Sequence, residues 1–177
     1  MIKKVLAAAV MATALCSSIA ANAAPSVQVG FSPEGSAQKL VLSTINNAQR
    51  TVHMMGYNFT AADIAKALAN ASRRGVDVKV ILDEKENQNR YSKAAINALV
   101  NANVEVRLTD AYKIHHDKVI IVDQKTVETG SFNFTKAAEY KNSENALVLN
   151  DMPQVASVYL EHWQSRWETG RAWKSSY

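Results

Sequence analysis

Disulfide chemistry is the first thing this chain lacks. Its 177 residues include a single cysteine, Cys16, inside an apolar N-terminal stretch. Long hydrophobic runs are missing too: the stretch Val5 to Leu15 is too short to cross a bilayer. Two lysines, Lys3 and Lys4, precede it, and Ala21-Asn22-Ala23 offers a small-residue cleavage site, so residues 1–23 read as a secretory signal peptide. Lipidation at Cys16 is disfavoured, because the bulky Leu15 stands where a small residue is needed. Cleavage after Ala23 leaves 154 residues, 24–177, with no cysteine at all. The expected destination, periplasmic or secreted, permits disulfides, and this fold does without them. A strong excess of either charge is also absent. The signal holds two of the 20 basic residues and none of the 16 acidic ones, which lowers the formal charge from +4 to +2. So weak a balance does not by itself argue for nucleic acid; a local patch would have to steer a polyanion. No internal repeat and no low-complexity linker divides the chain, and its length suits one domain.

What is present is an alternation of short apolar runs and amphipathic stretches. Strands are expected at 26–31, 51–59, 76–82, 104–108, 119–122, 126–129 and 146–149. Helices are expected from a Ser36 cap through Ala48, from a Thr60 cap to Arg73-Arg74-Gly75, from a Ser92 cap through Ile96 and Leu99, and from Asp151 or Met152 onward. Strands alternating with helices predict an α/β fold, a layered domain around a central mixed sheet. In the last helix Val155, Tyr159, His162, Trp163 and Trp167 recur at helical spacing, which points to core or interface rather than a base-stacking surface. Arg73, Arg74, Lys85, Arg90 and Lys113 are either steering charges or solvated surface.

The chemistry concentrates between His115 and Glu144. There His116-x-Lys118 is followed after four residues by Asp123, and after six more by Gly130-Ser131-x-Asn133. Six residue types at fixed spacing arise by chance on the order of 10⁻⁸ times per start position. A lone His-x-Lys would read as the mouth of a solvated hairpin; the full pattern does not. Strand alternation puts His116 and Lys118 on one face, an imidazole and an ammonium suited to a phosphate, while Asp123-Gln124-Lys125 turns the chain. Gly130 lets a ligand approach its backbone, and Ser131 and Asn133 bring donors for phosphate oxygens. Glu144, opening the next strand, is positioned to hold the far nitrogen of His116. His115 faces away from His116, and adjacent strand residues do not converge on one ion, so no metal site is expected. His53 is read as structural.

This pattern resembles the signature of the phospholipase D superfamily, without departure at any of its six positions, and a less specific likeness covers the rest of residues 24–177. The resemblance implies a phospholipase D-like α/β/α domain and a phosphodiesterase that uses no cofactor. It implies catalysis by His116, Lys118, Asp123 and Glu144, with Lys118, Gly130, Ser131 and Asn133 binding substrate; for Asp123 an architectural role stays open beside a catalytic one. The superfamily usually carries two copies of the motif, and this chain has one, so a homodimer sharing its site is expected. Its members act on nucleic acids or on phospholipids. A short secreted chain looks like the nuclease branch, with DNA, or RNA, as substrate and no stable membrane association. A phospholipase or phosphatidyl transferase is the alternative; a non-catalytic DNA-binding module fits an intact His116, Lys118 and Asn133 less well.

Overall fold

The computed structural model describes residues 24–175; the expected signal peptide lies outside the described residues. Eight strands form one mixed sheet: β1 (Ser26–Ser32), β2 (Thr51–Gly56), β3 (Asp77–Asp83), β4 (Glu105–Thr109), β5 (Lys118–Val122), β6 (Thr126–Gly130), β7 (Glu144–Asn150) and β8 (Arg171–Ala172). Their spatial order is β1-β7-β6-β5-β2-β3-β4-β8. The helices are α1 (Ser36–Asn46), α2 (Ala62–Arg73), α3 (Arg90–Val100), α4 (Lys136–Tyr140) and α5 (Pro153–Trp167), with a 3₁₀ turn at Glu86–Gln88. β2, β3 and β4 run parallel, joined by crossovers through α2 and α3, whereas β5, β6 and β7 are an antiparallel meander. Helices α1 to α3 cover one sheet face over a large core; α5 covers part of the other over a smaller core with Met55, Ile121 and Val127. This is the three-layer α/β/α domain expected.

Several helix starts differ from expectation, each for a local reason. Ser36 is the first residue of α1, not its cap. Its hydroxyl instead pins the helix to β1, accepting from Phe31 N at 2.8 Å and donating to Phe31 O at 3.2 Å. Thr60 does not cap α2. The amides of Thr60 and Ala61 both donate to Phe134 O, at 2.9 and 3.0 Å, so a tertiary acceptor replaces a side-chain cap. The cap of α3 is Asn89, which accepts from Tyr91 N and Ser92 N at 3.0 Å each. Ser92 is buried behind it. The short α4 and β8 have no periodic signal of their own and follow from docking. In α5 the stripe is core, as its spacing predicts: Trp163 and Trp167 are buried, and the Trp163 indole donates to Met54 O at 3.0 Å. Arg74 is not a free steering charge, since its guanidinium caps the end of α1 through Asn46 O at 3.1 Å.

Asp123 is a fold residue. It sits at the far end of β5 from Lys118, seven residues beyond His116 and so about 20 Å away along an extended chain. Asp123 and Gln124 are the central residues of the β5–β6 turn, with φ of 51° and 60°. The buried carboxylate accepts three backbone amides, Gln49 N at 2.9 Å, Arg50 N at 2.7 Å and Thr51 N at 2.9 Å. Those bonds lock the hairpin to the start of β2 and offset the cost of left-handed backbone at two non-glycine residues. This geometry supports the architectural role for Asp123 over the catalytic one. Burial works to raise its pKa, but the three amides outweigh it and hold the carboxyl below the usual aspartate range. A depressed folded pKa contributes stability above the unfolded value, and that contribution disappears as pH falls through the folded one. Asp123→Asn should thus lower unfolding stability by about 1–3 kcal/mol at neutral pH. Urea titrations should show the gap to wild type closing on the acid side, with activity per folded molecule unchanged.

Candidate active site

The remaining motif residues gather at one end of the sheet, where β2 and β6 finish and β5 and β7 begin. Register does this: Lys118 lies opposite Gly56 on β2, while Gly130 pairs with Ala146 and Ser32 with Glu144. His116 precedes β5 by two residues and is exposed. Lys118 is the first residue of the strand and only 7% exposed. Its ammonium donates to His116 O at 2.7 Å and lies 5.4 Å from the centre of the Tyr57 ring. The same ring packs against the His116 imidazole, with centroids 4.6 Å apart. His116 and Lys118 thus do share one side of the sheet end. Burial pushes the Lys118 amine below its ordinary value, and the carboxylates of Asp117 and Glu144 act against that.

Across the site, the Ser131 hydroxyl donates to Glu144 Oε2 at 2.6 Å, and Asn142 donates to Glu144 Oε1 at 2.9 Å. Asn145 N reaches Ser131 Oγ at 3.0 Å. Within the described chain both Glu144 oxygens are thus engaged by Ser131 and Asn142, not by His116. Asn133 stands just behind, half-buried, with its side-chain oxygen enclosed and unpartnered among the described residues. Gly130 has a different reason from the one expected. A Cβ there would meet the β7 backbone, with Asn145 C at 3.0 Å and Ala146 Cα at 3.1 Å and Asn145 O closer still. The space belongs to the neighbouring strand, not to a ligand.

His115 points the other way, as alternation predicts, and is 2% exposed. Its backbone amide donates to Asp83 Oδ2 at 2.8 Å, and its Nδ1 lies 3.3 Å from Asp117. Asp117 also meets His162 of α5, at 3.4 Å. Burial lowers the His115 pKa against the pull of both carboxylates. Among the described residues no three His, Cys, Asp or Glu side chains gather as a metal site. His53 packs edge-on against Trp163 at 4.4 Å, a structural placement. Sequence reasoning missed Tyr57 and Asp83. Both stand at the carboxyl ends of parallel strands, where open α/β sheets place their ligands, and that is the signal that would have found them.

Comparison with known proteins places the fold and the family. A family model described as "Cardiolipin synthase, PLD-like domain" matches residues 41–167. The crystal structure of Nuc from Salmonella typhimurium, a phospholipase D family member, superposes with a TM-score of 0.85 and 58% identity, covering 86% of this chain and all of that one. NucT from Helicobacter pylori superposes at 0.73 with 25% identity, covering 85% of this chain and all of that one. A protein named phospholipase D from Rickettsia conorii is 37% identical over 140 residues, 79% of this chain and 68% of its own length. Replacing Gly130 by Ala should force β7 aside and cost about 1–3 kcal/mol in urea unfolding; an undiminished stability would return the position to ligand binding. Family match, fold and motif together place this chain in the phospholipase D-like family, as a phosphodiesterase.

Proposed function

We propose that this protein is a secreted endonuclease that cleaves DNA, or RNA, through a phosphohistidine, with its active site shared between two copies of the chain. The observation that carries the reading is the pairing of an exposed His116 with a buried Lys118 at a sheet end that holds one motif. Breaking a phosphodiester needs a nucleophile and a proton for a poor alkoxide leaving group. One imidazole cannot supply both in one step. In the dimer, His116 of one protomer attacks phosphorus while His116 of the partner subunit protonates the leaving oxygen. Water then cleaves the P–N bond with the second imidazole as base. The Lys118 ammonium, Ser131 and Asn133 hold the phosphoryl oxygens as charge develops, and Glu144 orients an imidazole of the pair. The Ser131 and Asn142 bonds hold the Glu144 carboxylate at the same sheet end as His116 and Lys118, which supports its part in this assembly.

Support for pairing comes from the free edge of the sheet. Val27, Val29 and Phe31 share one face of β1 and are 54%, 55% and 53% exposed. Phe31 lies opposite Asn145, next to Glu144, so this apolar stripe runs up to the site. A second copy seated there would bring the two motifs towards each other. Support for a nucleic-acid substrate is the likeness to Nuc and NucT. The phospholipase D named in Rickettsia keeps a lipid substrate as the alternative. Secretion rests on residues 1–23; among the described residues no helix is long and apolar enough to cross a membrane.

Purified residues 24–177 should sediment at twice the chain mass. Incubated with plasmid DNA, RNA and phospholipid vesicles, each with and without EDTA, they should cleave nucleic acid in both conditions and leave vesicles intact. His116→Ala should lower that rate by at least about 10³-fold. Turnover of vesicles alone would favour the lipid reading, and EDTA-sensitive activity restored by a divalent metal would remove the metal-free mechanism.

A further inference from the structure

Tyr57 is the side chain that touches both members of the His116–Lys118 pair. Its ring packs against the imidazole at 4.6 Å and lies 5.4 Å from the Lys118 ammonium. The ring is itself fixed. Its hydroxyl donates to Glu86 Oε2 at 3.1 Å, and Asn58 donates to Glu86 Oε1 at 2.6 Å. Glu86 in turn hangs on Asp83, whose Oδ1 accepts Glu86 N at 2.9 Å. The other oxygen of Asp83 accepts the amide of His115, immediately before His116. Asn87, fully buried, closes the frame by donating to Tyr57 O and Asp83 O at 2.7 Å each. The platform and the imidazole are therefore set from the same buried carboxylate. So elaborate a support is more than a half-buried tyrosine needs for its own packing.

We propose that Tyr57 is a positioning residue, an aromatic platform held by Glu86 that supports His116 as it passes its proton to the leaving oxygen. An aromatic face attracts a cation through its quadrupole, the more so where water is partly excluded. For Lys118 the ring offsets part of the cost of burying an ammonium. For His116 it stabilises the imidazolium that gives its proton to the leaving oxygen. The inference rests on the phosphodiesterase reading of His116 and adds what sustains the acid step.

Leaving groups provide the test. A nitrophenolate departs without a proton, whereas the alkoxide of a sugar needs one from the imidazolium. Tyr57→Leu should cut kcat on DNA roughly 10-fold while changing kcat on bis(p-nitrophenyl) phosphate less than about 3-fold, with KM for both little altered. Tyr57→Phe keeps the ring but loses its hydrogen bond to Glu86, and its kcat on DNA should fall between wild type and the leucine variant. Should the leucine variant fold poorly, pentafluorophenylalanine at position 57 keeps an aromatic ring there, reverses its quadrupole and should reproduce the selective loss on DNA. Equal losses on the two substrates, or none on either, would overturn the platform role. The underlying reading fails separately, if His116→Ala retains activity or the wild type cleaves neither substrate.

Discussion

The register of β5 between β2 and β6 is the constraint on which the rest depends. With Lys118 opposite Gly56 and Val119 opposite Thr129, the ammonium, the imidazole ahead of it and the Gly130-Ser131 turn meet at one end of the sheet. A slip of one residue would exchange the faces of every side chain in the strand and bury His116 in place of His115. Two close approaches resist that slip. Gly130 lies under the β7 backbone, and a Cβ on Gly56 would stand 3.1 Å from both Leu82 and Phe134. At the opposite end, Asp123 ties the hairpin to the chain entering β2. The motif is in this sense two devices at two ends of one strand, a site and the lock that sets its register.

Much of this was legible in advance. The β-branched runs of β3 and β5 and the stripe of α5 identified strands, the helix and its buried face, because burial of apolar side chains dominates those elements. The opposite faces of His115 and His116 followed from alternation alone. Other features depend on partners far away in sequence. No local signal marks Phe134 O as the acceptor that replaces a cap on α2, or Asp123 as the acceptor for residues 49–51. Glu128 is the sharpest case: it reads as an ordinary strand carboxylate, yet burial in the core pushes its pKa up to about 8. Tyr57 was hidden because the β2 run looked apolar to Phe59, whereas the strand ends at Gly56 and turns the tyrosine towards the site.

The division of labour at the site follows from exposure. In the proposed mechanism the nucleophile must reach the phosphorus of its substrate, and His116 is exposed. A counter-charge acts most strongly where water is scarce, and Lys118 is buried between Tyr57 and the start of β5. The price is a lowered lysine pKa, moderated by Asp117 and Glu144. Glu144 serves both sides, close enough to act on Lys118 and held in place by Ser131 and Asn142.

Whether His116 is the nucleophile is decided most directly by the stereochemical course at phosphorus. Attack by His116 followed by attack of water on the phosphohistidine comprises two in-line displacements, each inverting. Hydrolysis of a phosphodiester bearing a chiral phosphorothioate, in heavy-oxygen water, should therefore proceed with net retention of configuration. Net inversion would mean a single displacement by water, would contradict the covalent route, and would recast His116 as a general base.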